Sequence, residues 1–182
     1  MIDRYSMPKM KKIWSDTNKY SKWLKVELAV CEAWSEQGII PSGDMAKLRR
    51  AKFNSKLMND AFAETRHDVT AFLHSITSTL GDEGRWIHLG LTSSDVIDTG
   101  LSLQMMEAIE LLIEGVSELI DVIHQKSIVH KNTLMIGRTH GIHAEPTSFG
   151  LKLGIWWTEL QRHRNRLIAA KEDISVGKIS GA

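Results

Sequence analysis

Apolar residues recur along this chain at three- and four-residue intervals, the period of amphipathic helices, and only 3 prolines interrupt the pattern. Ser6 ahead of Pro8 predicts the cap and first turn of a short helix. Asp16 predicts the cap of the next, in which Leu24, Leu28 and Cys31 line one stripe and Trp23, Val30 and Trp34 widen it, until Gly38 ends it. Ser42 after Pro41 predicts a third helix and Asn54 a fourth. Beyond Arg66-His67-Asp68, the residues Val69, Phe72, Leu73, Ile76 and Leu80 predict a fifth, closed by Gly81 and Gly84.

The pattern then lengthens. From about Ser94 to Lys131 one series runs through Leu101, Met105, Ile109, Leu112, Val116, Leu119 and Ile123, with Met106, Ile113 and Ile120 as a second stripe. At 1.5 Å per residue this predicts a helix of roughly 55 Å. Thr133 to His143 reads as an extended, turn-containing link. Pro146 is expected to open a second long helix, with Phe149, Leu153, Trp156, Leu160, Leu167 and Ile174 in a near-heptad series. Two such helices cannot bury apolar surface on several sides against each other alone. The expected architecture is therefore all-α: a small N-terminal helical domain (1–92), then the first long helices of an elongated bundle (93–182). Other chains, or sequence beyond the glycine-rich turn at 176–182, are expected to complete the bundle.

Composition narrows the classes. The chain of 182 residues is 42% hydrophobic and 25% charged, as in a soluble globular protein. It has no run of 18 apolar residues and no signal-peptide pattern at Met1-Ile2-Asp3-Arg4-Tyr5. A net charge of +1 offers no global field for nucleic acid or an anionic membrane. The lone Cys31 excludes an internal disulfide and suits a reducing cytoplasm.

Four polar clusters could carry chemistry. Arg4-Tyr5 precedes the first helix, where a mobile surface arm is the plain alternative. Arg66-His67-Asp68 stands at a helix start; Asp68 could be only a cap, but the same place favours an anion gripped by Arg and His. In His88-Leu89-Gly90-Leu91-Thr92-Ser93-Ser94-Asp95, three hydroxyls exceed the one a cap needs, and the surplus suits a carboxylate or phosphate. Asp95 could orient a neighbouring donor.

The fourth cluster, Gly137 to Pro146, holds Arg138, His140, His143 and Glu145. Two histidines make a poor metal site, and no cofactor is implied. Proton transfer suits imidazole better at neutral pH. His124 and His130 read as polar positions on the long helix, and His163 as a core histidine on the apolar seam.

Together these words resemble the adenylosuccinate lyase family, within the fumarase, aspartase and argininosuccinate lyase superfamily. They are RYS at 4–6, TRHDV at 65–69, GLTSSDVIDT at 90–99, GRTHGIHAEPTSFGLKL at 137–153 and VGKISGA at 176–182, in family order across the chain. The resemblance implies β-elimination of fumarate from adenylosuccinate, giving AMP, and from succinylaminoimidazole carboxamide ribotide in purine synthesis. A base takes the succinyl Cβ proton, the C–N bond breaks, and an acid protonates the departing nitrogen.

Carried over by position, His140 resembles the general acid and His67 a second catalytic histidine. Arg4, Tyr5, Arg66 and Asp68 resemble nucleotide-binding positions, and His88 a phosphate-contacting one. Thr92 and Ser93 resemble hydroxyls that grip the succinyl end. The family's base is a serine on a Met- and Lys-containing loop with no counterpart in this sequence, so these residues alone are expected to be inactive. Family members are homotetramers with active sites shared among subunits. Two other readings stand beside this one: another fumarate-releasing lyase of the superfamily, or a non-catalytic helical assembly module.

Overall fold

A computed structural model describes residues 2–181, which fold into seven helices and one antiparallel hairpin. The helices are α1 (Pro8–Ile13), α2 (Asp16–Glu36), α3 (Ser42–Leu48), α4 (Ser55–Thr65), α5 (Asp68–Thr77), α6 (Ser93–Val129) and α7 (Phe149–Ile174). The hairpin strands are β1 (Leu134–Thr139) and β2 (Ile142–Ser148). The all-α reading holds, and the expected link between the long helices is this hairpin. No helix is long and apolar enough to cross a membrane among the described residues.

The chain divides into two compact units. One runs to Met105 and takes in the chain again from Ser175; the other is Met106–Ile174.

In the first unit the cap signals act much as the sequence suggests, with small corrections. Asn54 caps α4, its side chain accepting from the backbone N–H groups of Lys56 and Leu57. The α2 cap is Ser15 rather than Asp16: the Ser15 hydroxyl accepts from Asn18 N–H, and Asp16 occupies the first turn, where its charge suits the helix dipole. At α1 the cap position is Met7, without a side-chain bond, while the Ser6 hydroxyl donates to the Ile2 carbonyl.

The core of this unit forms around Phe72, wholly buried between the rings of Trp23 (5.4 Å, edge-on) and Tyr20 (6.0 Å, stacked). Ile40, Met45, Leu48, Val69, Ile76 and Val96 complete it. Cys31 belongs to the same core, its thiol hydrogen-bonded to the Trp86 carbonyl. Burial, then the charges of Glu27 and Glu32, push the Cys31 thiol up to about 11. Cys31 is therefore expected to resist an aromatic disulfide reagent at pH 8 in the native protein and to react stoichiometrically once unfolded. Rapid labelling of the folded chain would contradict this burial.

In the second unit α6 and α7 run antiparallel, and their contacts step along both in sevens. Glu110 pairs with Lys171, Ser117 with Arg164, His124 stacks on Trp157 at 4.6 Å, and Lys131, in the turn just past α6, lies against Gly150. This is the heptad spacing of a coiled-coil seam. The facing side of α6 includes the second stripe, Ile113 and Ile120, half-buried; Leu112, Leu119 and Val122 stay exposed. On α7, Leu151, Ile155 and Trp156 are exposed as well. His163 is not a core residue: it is exposed, beside Glu159 and Arg166. Its place in the apolar series is one residue off the buried line of the helix.

Pro146 does not open α7. It sits in β2 opposite Ile136, and the helix starts three residues later at Phe149. Hairpin pairing holds the chain extended past Pro146, which is tolerated because both strands are edges. Ser148 then supplies the cap, its hydroxyl accepting from Leu151 N–H at 3.0 Å.

Candidate active-site segments

Thr139 pairs with Ile142 as the last rung of the hairpin, leaving His140-Gly141 as a two-residue turn. Both turn residues are left-handed, with φ of 49° and 75°. That is the backbone of a type I′ turn, whose twist matches the strands. Histidine tolerates this region better than most side chains, though less well than glycine. The turn lifts the ring into solvent, and the Thr139 hydroxyl lies 2.7 Å from its Nδ1. Nε2 is thereby the nitrogen left for a ligand. His143 stands in β2 opposite Arg138.

At the α4–α5 corner, Arg66 ends α4 in a left-handed conformation, φ 54°. His67 follows as the cap of α5. Its Nδ1 accepts from Thr70 N–H at 3.2 Å, and Asp68 stands one position inside, 3.8 Å from the same ring. The cap is thus the imidazole and not Asp68 as the sequence suggested; the Asp68 carboxylate accepts instead from Val69 N–H. An Nδ1 that accepts leaves the proton on Nε2, so neutral His67 offers a donor.

His88 also takes a left-handed backbone, φ 67°. Glu27, fully buried on α2, accepts from both the His88 backbone N–H (2.9 Å) and its Nδ1 (2.7 Å). Among the described residues, the non-glycine positions with left-handed backbone are Arg66, His88 and His140. Each such residue costs on the order of 1–2 kcal/mol, and such strain gathers at functional sites.

At the start of α6, buried Asp95 reaches back to accept from the Thr92 N–H and hydroxyl, as the acidic member of a capping box does. It also accepts from Lys178 Nζ at 2.9 Å and from the backbone N–H groups of Ser180 and Gly181. The Thr92 N–H first, and the Lys178 ammonium next, hold its carboxyl well below the usual carboxylate range. Lys178 further bonds Ser94 and the Gly181 carbonyl. The surplus hydroxyls are therefore unequal. Thr92 donates to Asp95 and Ser94 to the Gly181 carbonyl, while the Ser93 hydroxyl makes no such bond among the described residues.

Arg4 and Tyr5 lie in a short 3-10 turn, the guanidinium 4.8 Å over the exposed Tyr5 ring. No hydrogen bond links Arg4-Tyr5, the Arg66–Asp68 corner, His88 and Thr92-Ser93 to one another among the described residues.

Residues 3–182 match a family of lyases. The chain belongs to this lyase family. It is 48% identical to the adenylosuccinate lyase of Bacillus subtilis (strain 168), matching over its whole length and spanning 42% of that relative. Among solved lyase-like structures, a fumarate lyase from Mesorhizobium sp. BNC1 superposes with a TM-score of 0.89 at 26% identity, over 96% of this chain and 42% of its own. A 3-carboxy-cis,cis-muconate lactonizing enzyme from Pseudomonas putida gives 0.89 at 28% identity, over 98% of this chain and 42% of its own.

Two residues of this lyase-family chain escaped the sequence reading. Glu27 sits in an apolar helical stripe and carries no local motif; its only signal is a carboxylate where the period calls for a hydrophobe. Lys178 lay inside the VGKISGA word, but pairing it with Asp95 requires the chain to return from 83 residues away.

Proposed function

We propose that this chain carries the general acid and the substrate cradle of an adenylosuccinate lyase. The enzyme would eliminate fumarate from adenylosuccinate, leaving AMP, and from succinylaminoimidazole carboxamide ribotide. The observation that carries the reading is the placing of Arg66, His88 and His140, the left-handed non-glycine residues among those described: Arg66 and His140 fall within words resembling that family's, and His88 lies two residues ahead of a third. A scaffold would gain nothing from strained polar residues at those points. The 48% identity to a relative named for this activity supports the same substrate.

In this mechanism a base removes a proton from the succinyl Cβ, and charge gathers toward the neighbouring carboxylate. Ser93 and the N–H groups opening α6 suit that carboxylate, stabilising the charge as it develops. The Cβ–H electrons form the fumarate double bond as the C–N bond breaks. His140, held through Nδ1, delivers a proton from Nε2 to the departing nitrogen. His67, a donor at Nε2, would be a second catalytic histidine that contacts substrate. Arg4, Tyr5, Arg66, Asp68 and His88 would hold the nucleotide and its phosphate.

The base is expected on a serine loop outside these residues, in a cytoplasmic homotetramer. Exposed Leu112, Leu119, Val122, Leu151, Ile155 and Trp156 fit such an assembly.

The test is fumarate release from adenylosuccinate, argininosuccinate and malate by the full-length polypeptide, beside residues 1–182 alone. Turnover is expected on adenylosuccinate only, and none from residues 1–182. Turnover on argininosuccinate or malate instead would overturn the substrate. Release by residues 1–182 would overturn the missing base.

A further inference from the structure

Helix α2 grips the segment ahead of α6 with three side chains spaced one helical face apart. Glu27 takes the His88 N–H and ring, Cys31 donates to the Trp86 carbonyl, and Trp34 Nε1 donates to the Leu89 carbonyl at 3.0 Å. Positions i, i+4 and i+7 point the same way from a helix. Two of these bonds only fasten backbone. Glu27 is different, because its second oxygen holds a side chain.

Anchoring alone does not explain that arrangement. A glycine at position 88 would adopt φ 67° without strain and keep its N–H bond to Glu27. The imidazole is therefore not needed to fasten the segment. Burying a carboxylate is costly unless its oxygens are bonded. Here Glu27 is wholly buried, and both oxygens are spent on one residue. Since a carboxylate can only accept, the Nδ1 it meets at 2.7 Å must carry the proton. Nε2 then faces the other way. His88 is part-buried, its Nε2 has no partner among the described residues, and it is not among atoms sealed from solvent.

We infer that Glu27 is a positioning residue that fixes the His88 ring, tautomer included, so that Nε2 is presented to the ligand's anionic group. This rests on the reading above, in which His88 meets a phosphate. It adds that the specificity of that contact originates in the core of the helical unit, 61 residues away in the chain. Carboxylate–imidazole pairs commonly set which ring nitrogen faces a partner.

The experiment uses the full-length protein with nitrogen-15 labelled histidine, titrated with AMP and, separately, with inorganic phosphate. The His88 resonances are expected to report a proton on Nδ1, with the Nε2 signal moving as either anion is added. A bare Nδ1 in the wild-type protein, or an Nε2 signal indifferent to both anions, overturns the inference without need of any variant.

In Glu27→Gln one amide oxygen replaces two acceptors. The Kd for AMP and the KM for adenylosuccinate are expected to rise about tenfold, in line with loss of a charge-assisted bond, with kcat within about threefold. His88→Asn tolerates the left-handed backbone and should show the same rise. Adding Glu27→Gln to it should then raise neither value further, since Glu27 acts through His88. Additive losses overturn the inference. If the protein does not cleave adenylosuccinate, the proposed function fails, while the two titrations still decide the role of Glu27.

Discussion

Replacing His140 with Gln in the full-length lyase is expected to lower kcat by a factor of about a hundred to ten thousand, the usual worth of a positioned acid. The glutamine amide can still hydrogen-bond a ligand, but it has no proton to give to the departing nitrogen. AMP should bind within about threefold of wild type by calorimetry, since the proposed nucleotide contacts lie in other segments. The backbone supplies a control. His140 holds φ 49° in a two-residue turn, so His140→Gly relieves strain of about 1 kcal/mol. That variant should melt no lower than wild type while losing kcat at least as severely. Opposite signs for stability and activity would mark a residue kept for chemistry at a cost to the fold. Wild-type turnover in His140→Gln would remove it as the acid.

Helix positions and most caps were legible because they depend on neighbours in sequence. Asn54 and the 3.6-residue apolar period need no knowledge of the rest of the chain. Where two nearby groups could cap, the sequence could not rank them. Ser15 displaced Asp16, and the His67 imidazole displaced Asp68. The hairpin was half legible. Thr133 to His143 read as extended and turning, but Pro146 as a helix start competed with a strand position opposite Ile136. Only cross-strand pairing, with Ser148 as a later cap, decides between them.

The candidate site divides along the same line. Short words placed the polar clusters, because each lies at an element end. His67 and His140 are held by near neighbours, but what orients His88 and the Thr92–Asp95 run includes non-local contacts. The Glu27–His88 pair and the Asp95–Lys178 knot span 61 and 83 residues. Glu27 stands out only as a carboxylate in an apolar stripe and Asp95 only as a possible orienting group, and neither names its distant partner. The knot also divides the hydroxyls: Asp95 accepts a hydrogen bond from the Thr92 hydroxyl, so Ser93 is the better donor of the pair. A run of hydroxyls in sequence says nothing of how they are divided.

Gly150→Ala should be the most damaging conservative change in the second unit. Gly150 is the last step of the seven-residue ladder between α6 and α7, and it is buried. A Cβ there would stand 2.6 Å from both Cα and N of Lys131, and closer still to the Ser127 carbonyl oxygen. Those are backbone atoms of the end of α6 and of the turn that follows it, which cannot rotate aside as a side chain would. The Gly150 N–H also donates to the His130 carbonyl at 2.9 Å, beside the Phe149–Thr133 bond that closes the hairpin base. Forcing the helices apart loosens both bonds. The expected cost is about 3 kcal/mol, the upper end for overpacking, or a Tm lower by roughly 6–12 °C at this size.

Gly154→Ala, four residues along the same helix, has nothing within 4 Å of its Cβ. It should stabilise by about 0.5–1 kcal/mol through helix propensity. Identical chemistry with opposite signs is what close backbone approach at a single position demands. Melting curves that place both variants on the same side of wild type would dismiss that approach. Because the hairpin stands on this corner, Gly150→Ala should also quicken hydrogen exchange at Thr139 and Ile142, the rung beneath His140. The aim of the acid would then depend on one glycine ten residues away.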